Sequence, residues 1–208
     1  MIMPIKNIVF DLGGVLVDLD IERCRAAFRS LGMDAVAALI QPYYPVEVLG
    51  RLEKGDIPFH EACDQMRHIA GTASVSDEQI AWAYGEFLTG VPVGKLRMID
   101  RLRQRGLRTY VLSNNNPASM VFIRRMFTSD GRTMEDYFDK IYLSYEMHLL
   151  KPSEEIFRRM IADSGMTPEE TLFIDDGAKN VDAAHALGFA VYMPAPDEDF
   201  SHLFTQLP

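Results

Sequence analysis

Asp11 in FDLGGVLVD, Ser113 and Asn114 in VLSNN, Lys151 in LLKP, and Asp175 and Asp176 in FIDDGAKN form an ordered series of polar groups. Nearly all stand at the end of a short apolar run; Lys151 instead opens a helix. Asn180 lies one helical turn beyond Asp176, so both are expected to face one crevice. Singly these are weak signals, because Ser-Asn and Lys-Pro pairs are common and adjacent aspartates often make turns. As a set they suit phosphoryl transfer. Mg²⁺ takes hard oxygen ligands in near-octahedral geometry, usually one or two carboxylates with waters and a phosphate oxygen. Asp11 and Asp176 can supply the carboxylates and the Gly13 carbonyl a third oxygen, while Asp175 and Asn180 are expected to hold metal-bound waters. Lys151 is expected to neutralise phosphate charge and keep Asp11 ionised among its acidic neighbours. Ser113 and the amide of Asn114 would clasp the remaining phosphate oxygens. A carboxylate can attack phosphorus to give an aspartyl-phosphate, and that role falls to Asp11.

Holding such groups together requires a parallel sheet. The apolar runs KNIVF, LRTYVLS, KIYLS, TLFID and FAVYM alternate with amphipathic helices predicted over 95–105, 117–127, 152–164 and 177–187. That alternation predicts an α/β fold, a Rossmann-like parallel sheet with helices on both faces, whose ligands bind beyond the carboxyl ends of the strands. From Ile21 to Leu88 the pattern is instead almost wholly helical. Helix 21–31 carries Asp20 as N-cap and Gly32 as stop; a second helix lies between Pro58 and Gly71; a third is capped by Ser76 or Asp77. The expected organisation is a core of residues 1–16 and 93–208 interrupted by an all-helical cap, residues 17–92. TPEE (Thr167–Glu170) reads as a capping box opening a short turn.

Composition narrows the function classes. The chain has 208 residues, 48% hydrophobic and 25% charged, enough for one large domain or a core with an insertion. No apolar run is long enough to span a bilayer. The start, MIMPIKNIVFDLGG, lacks a basic-apolar-small leader pattern, so a cytoplasmic location is expected, with no membrane partner. Net charge is −9 and the sequence pI about 5.0, against broad nucleic-acid binding. The arginines of KLRMIDRLRQRGLR read as the solvated face of a helix whose other face carries Leu96, Ile99 and Leu102. Cys24 and Cys63 sit in amphipathic helices and read as core thiols, not as a disulfide or metal pair. Monomer and homodimer fit equally.

FDLGGVLVD, VLSNN, LLKP and FIDDGAKNVDAAHALG stand, in order, where the haloacid dehalogenase-like (HAD) hydrolase superfamily has its four motifs, and the chain resembles that superfamily over nearly its whole length. The resemblance implies Mg²⁺, Asp11 as nucleophile and a C1-type cap that selects the substrate, expected to be a small phosphate ester. FDLGGVLVD and LEKGDIPFHEA look most like a subgroup that includes a sugar phosphatase acting on α-D-glucose 1-phosphate, implying a sugar 1-phosphate as one substrate.

The family's phosphatases read D-x-D, the second Asp protonating the leaving oxygen and then activating water. Here that place is Gly13. Losing a general acid or base costs roughly 10²–10⁴ in rate, about 3–5 kcal/mol of barrier. Three accounts compete. An anomeric leaving group would need little help. Another residue could substitute: Asp18 first, then Asp20, His60, His68, Tyr43 or Tyr44, although Asp20 also reads as a helix cap and His68 as a polar-face residue. Or the protein could bind phosphorylated ligands with little turnover. A metal-independent haloacid dehalogenase shares the Asp nucleophile, but the Asp175-Asp176 pair argues against it, and a phosphomutase needs the carboxylate missing at Gly13. The loop QPYYPVEVLG is expected to touch substrate, Tyr84 and Trp82 to pack the cap, and His148 and Leu150 to pack a loop.

Overall fold

The computed structural model describes residues 5–41, 47–128 and 131–205. Its strands are β1 (Asn7–Phe10), β2 (Asp18–Leu19), β3 (Leu88–Gly90), β4 (Arg108–Ser113), β5 (Lys140–Leu143), β6 (Thr171–Ile174) and β7 (Ala190–Tyr192). The helices are α1 (Ile21–Ser30), α2 (Asp34–Leu39), α3 (Glu47–Lys54), α4 (Phe59–Ala70), α5 (Asp77–Gly85), α6 (Val93–Gln104), α7 (Pro117–Met126), α8 (Ser144–Met147), α9 (Glu154–Ser164) and α10 (Ala178–Ala186).

Five strands form one sheet in the order β5-β4-β1-β6-β7, every pairing parallel. From β1 the chain builds outward through β4 and β5 on one side, then returns to build β6 and β7 on the other. The carboxyl end of β1 is therefore the point where strand order reverses, and a crevice opens there. Period-two alternation divides the strand side chains between two cores. Ile8, Phe10, Val111 and Ile174 join the cluster that includes Ile99 and Ile123 of α6 and α7. Val9, Leu112 and Phe173 join the opposite cluster with Phe157 of α9.

Helices α1–α5 enclose a third cluster of their own, including Cys24, Phe28, Cys63, Met66, Ile80 and Tyr84. Phe28 and Tyr84 meet edge to face at 5.6 Å between ring centres. The local signals read in the sequence have physical partners here. Asp20 accepts from the Arg23 amide at 3.0 Å, Ser76 and Gln79 form a reciprocal capping box, and Gly71 closes α4 in the left-handed conformation at φ 66°. Leu96, Ile99 and Leu102 are buried while Arg97 and Arg101 are exposed.

Three features differ from the sequence expectation. β2 and β3 form a small antiparallel ribbon where the chain enters and leaves the helical body; strands this short leave no readable alternation. Thr167 does not cap the turn at Pro168–Glu170 with its side chain; the Thr171 hydroxyl instead donates to the Thr167 carbonyl at 2.7 Å. His148 ends α8 at φ 56°, a left-handed position, so its place is set by backbone geometry. No helix among the described residues is long and apolar enough to cross a membrane.

Candidate active site

Asp11 follows β1 directly and its backbone amide extends the sheet by donating to the Ile174 carbonyl at 2.9 Å. The next residues fold tightly, with the amides of Val15, Leu16 and Val17 all directed to the Leu12 carbonyl. Gly14, at φ 70°, lets this turn pass against Asp176: a Cβ there would lie 2.1 Å from Asp176 Oδ2.

The centre of the site is the ammonium of Lys151, whose side chain is wholly buried. Its Nζ lies 3.1 Å from Asp11 Oδ1 and donates to Asp175 Oδ2 at 2.5 Å and to the Leu112 carbonyl at 2.9 Å. Three N–H bonds thus face three oxygen acceptors. The Asn114 side chain holds the Lys151 backbone from both sides, accepting from its amide at 2.9 Å and donating to its carbonyl at 3.0 Å. Ser113 is buried, its hydroxyl donating to the Asn114 carbonyl at 3.4 Å.

Asp175 Oδ1 accepts from the Gly177 amide at 2.8 Å and from Asn180 Nδ2 at 2.9 Å. Asn180 thus engages Asp175, because Asp176 lies in the turn before α10 and the helical spacing from Asp176 does not apply. Carboxylate oxygens of Asp11, Asp175 and Asp176 all lie within 4.8 Å of one another. Burial, opposed by Lys151 and reinforced by Asp175 and Asp176, pushes Asp11 up to about 7. Burial acts to lower the Lys151 ammonium, but the charges of Asp11 and Asp175 carry it above its ordinary value. The cluster has the hard oxygen donors and the surplus negative charge that a divalent cation requires. Asn180 Oδ1 is buried and lacks a hydrogen-bond partner, as expected of an acceptor reserved for a metal-bound water.

Above these groups lies a cavity of about 130 Å³. The sheet side of its lining includes Asp11, Gly13, Asn114, Lys151, Asp176 and Asn180; the helical body adds Ile40, Leu49, Glu53 and Tyr84. Asp11, Gly13, Asn114, Lys151, Asp175, Asp176 and Asn180 are therefore brought together, with Ser113 beneath them. Asp18 stands apart: it pairs with Lys95 Nζ at 3.2 Å and lines a neighbouring cavity. Asp20 is occupied as a helix cap, and His60 and His68 are exposed and absent from the lining. Tyr43 and Tyr44, with most of the first half of QPYYPVEVLG, lie outside the described residues; Gln41 and Leu49 at its flanks do line the cavity. Trp82 is exposed.

Sequence reasoning missed Glu53, Ser144 and Asn115. Glu53 had a readable signal, since it lies one helical turn after Leu49 and so shares the inward face of α3. Burial and the charge of Asp11, opposed by Lys151, push the Glu53 carboxyl up to about 8. Ser144 ties three segments together: its hydroxyl donates to the Glu53 carbonyl at 2.5 Å and accepts from the Asn115 amide at 2.9 Å.

The chain is thus an α/β protein in which an acidic cluster and a buried lysine meet at the carboxyl end of a parallel sheet, beneath an inserted helical body. The chain belongs to the haloacid dehalogenase-like hydrolase family, whose sequence model matches residues 5–188. It is 37% identical over 202 residues to a D-ribitol-5-phosphate phosphatase of Bacteroides thetaiotaomicron, covering 97% of each chain. A HAD family enzyme of the same organism, solved with magnesium and inorganic phosphate, superposes with a TM-score of 0.90 at 40% identity over 96% of this chain and 99% of that one. A predicted HAD-like hydrolase of Porphyromonas gingivalis gives a TM-score of 0.90 at 38% identity, over 99% of this chain and 98% of that one.

Proposed function

We propose that this hydrolase is a Mg²⁺-dependent phosphatase of small polyol or sugar phosphates, working through an aspartyl-phosphate on Asp11. The observation that carries the reading is the convergence of Asp11, Lys151, Asp175 and Asp176 at the carboxyl end of the central strands, under a small cavity. The metal would be held by Asp11, the Gly13 carbonyl and Asp176, with Asp175 and Asn180 holding its waters. When bound, it would supply charge neutralisation for Asp11 and the phosphate.

Asp11 attacks phosphorus and displaces the alcohol; water then cleaves the acyl-phosphate and restores the carboxylate. Lys151 neutralises phosphate charge and, through Asp175, fixes the orientation of the acidic cluster. Ser113 and the Asn114 amide take the other oxygens. The helical body excludes bulk water from the first step and shapes the space for the alcohol.

The likeness to a D-ribitol-5-phosphate phosphatase favours an ester of a primary alcohol over the sugar 1-phosphate expected from the motifs. Asn115, Asn116, Gln41 and Ser119 line the cavity and offer amide and hydroxyl partners for a polyol chain. The test is phosphate release from D-ribitol 5-phosphate, other pentitol and hexitol phosphates, and sugar 1-phosphates, with Mg²⁺ or EDTA and with Asp11→Asn. Metal-dependent release, greatest on polyol phosphates and lost in the variant, is expected. Turnover that survives EDTA and Asp11→Asn overturns the reading.

A further inference from the structure

We propose that Glu53, delivered by the helical body, is the acid–base group that replaces the carboxylate missing at Gly13. The inference deepens the phosphatase reading and rests on it. Among the described residues that line the cavity, the carboxyl groups are Asp11, Asp176 and Glu53. The first two belong to the acidic cluster, which leaves Glu53 for proton transfer. Its backbone is pinned against α8 of the sheet body. Its carbonyl accepts from Ser144 at 2.5 Å, and two residues later Gly55, at φ 74°, passes so close that a Cβ would lie 2.2 Å from the Tyr145 carbonyl oxygen. Leu49 and Glu53, one turn apart on α3, both face the cavity, so the carboxyl enters from the side opposite the sheet. That is the side on which an alcohol leaves when Asp11 attacks in line.

The charged and titratable groups facing it are Asp11 and Lys151 from the sheet and Tyr84 from α5. Its surroundings favour the protonated form, the one that can donate to a leaving oxygen. In the first step the bond from Asp11 to phosphorus forms, the ester P–O bond breaks, and the Glu53 proton passes to the leaving oxygen, giving the free alcohol and a Glu53 carboxylate. In the second, that carboxylate takes a proton from water as the water oxygen bonds to phosphorus. The bond to Asp11 then breaks, and inorganic phosphate, the Asp11 carboxylate and protonated Glu53 result. Atoms and charges balance over the cycle.

The test compares the wild type, Glu53→Gln and Asp11→Asn with Mg²⁺ on D-ribitol 5-phosphate and on p-nitrophenyl phosphate, whose leaving group needs no acid. Glu53→Gln should lose roughly 10²–10⁴ in kcat on the polyol ester. On the aryl ester it should give a stoichiometric burst of nitrophenolate and then stall as the phosphoenzyme, which lacks its base. Should Glu53→Gln not fold, the wild type alone decides: the ratio of polyol to aryl turnover should fall as pH rises, because only the polyol ester needs the protonated acid. Unchanged polyol turnover in Glu53→Gln, equal loss of the burst, or parallel pH profiles overturns the role of Glu53 alone. A wild type without Asp11-dependent turnover on either ester overturns the phosphatase reading and this inference together.

Discussion

Lys151 Nζ stands 3.1 Å from Asp11 Oδ1 with no part of its side chain open to solvent. The same ammonium serves Asp175 and the Leu112 carbonyl, so one buried cation bridges three oxygens, two of them from carboxylates that would repel each other without it. Breaking a buried pair by removing one partner costs about 3–5 kcal/mol. Lys151→Met should therefore lose stability of that order in denaturant titration and lose phosphate release as well. Lys151→Arg should not restore either, because a planar fork cannot meet three acceptors arranged around one nitrogen.

Metal binding should depend on pH through Asp11. Its carboxyl is pushed up to about 7, above the ordinary 3.8, by burial and by Asp175 and Asp176 against the pull of Lys151. A raised folded-state value means that the metal-free protein keeps this group's full contribution to stability below pH 3.8 and loses it as pH rises through about 7. Mg²⁺ needs the ionised form and should recover that loss. The Mg²⁺-induced rise in Tm should be small near about pH 5 and grow toward about pH 8. Thermal melts with Mg²⁺ or EDTA check this, and Asp11→Asn should flatten the dependence.

Most of the sheet could be read from the sequence because the central parallel strands β1, β4 and β6 are largely buried and each strand appears as a short continuous apolar run. The site residues of the core were legible for a related reason: Asp11, Ser113 and Asp175 mark strand ends, and strand ends converge. The cap's contribution was less legible. Helical spacing from Leu49 places Glu53 on the inward side of α3, but that this side meets the strand ends is seen only once α3 docks against α8. Ser144, at the end of β5, reads as an ordinary loop serine until its bonds to Glu53 and Asn115 are seen.

Gly14 and Asp176 set a local limit on substitution. At φ 70° an added Cβ would meet Asp176 Oδ2 at 2.1 Å, so Gly14→Ala suffers both backbone strain and a collision with the acidic cluster. The strain is about 1–2 kcal/mol. Displacement of Asp176 should reduce the Mg²⁺-induced shift in Tm further than the loss of stability alone explains, measured by melts over a Mg²⁺ titration.

The two thiols should be inert in the native protein. Burial pushes both Cys24 and Cys63 up to about 12, so almost no thiolate exists at neutral pH. A disulfide reagent is expected to label neither in the folded state and both after denaturation. Prompt labelling of native protein would mean that the interior of the helical body opens on the reagent's timescale.

A carboxylate can be returned to position 13. Unlike Gly14, Gly13 has the Leu19 side chain as its nearest neighbour, Cδ1 at 3.2 Å from an ideal Cβ, and that methyl is the far end of a flexible side chain. Leu19 itself lines the cavity, so a side chain at position 13 points toward the space in which the alcohol leaves. If the chemistry needs one acid–base carboxyl and is indifferent to which wall carries it, Gly13→Asp in the Glu53→Gln background should restore part of the polyol-phosphate turnover. A gain of about tenfold over Glu53→Gln alone corresponds to about 1.4 kcal/mol of barrier. Gly13→Asn in the same background controls for shape, since it fills the same space without a titratable proton. Phosphate-release rates of the two double variants decide the matter: an advantage for Asp over Asn means that the proton can be delivered from either wall, and equal rates mean that position 13 does not reach the leaving oxygen.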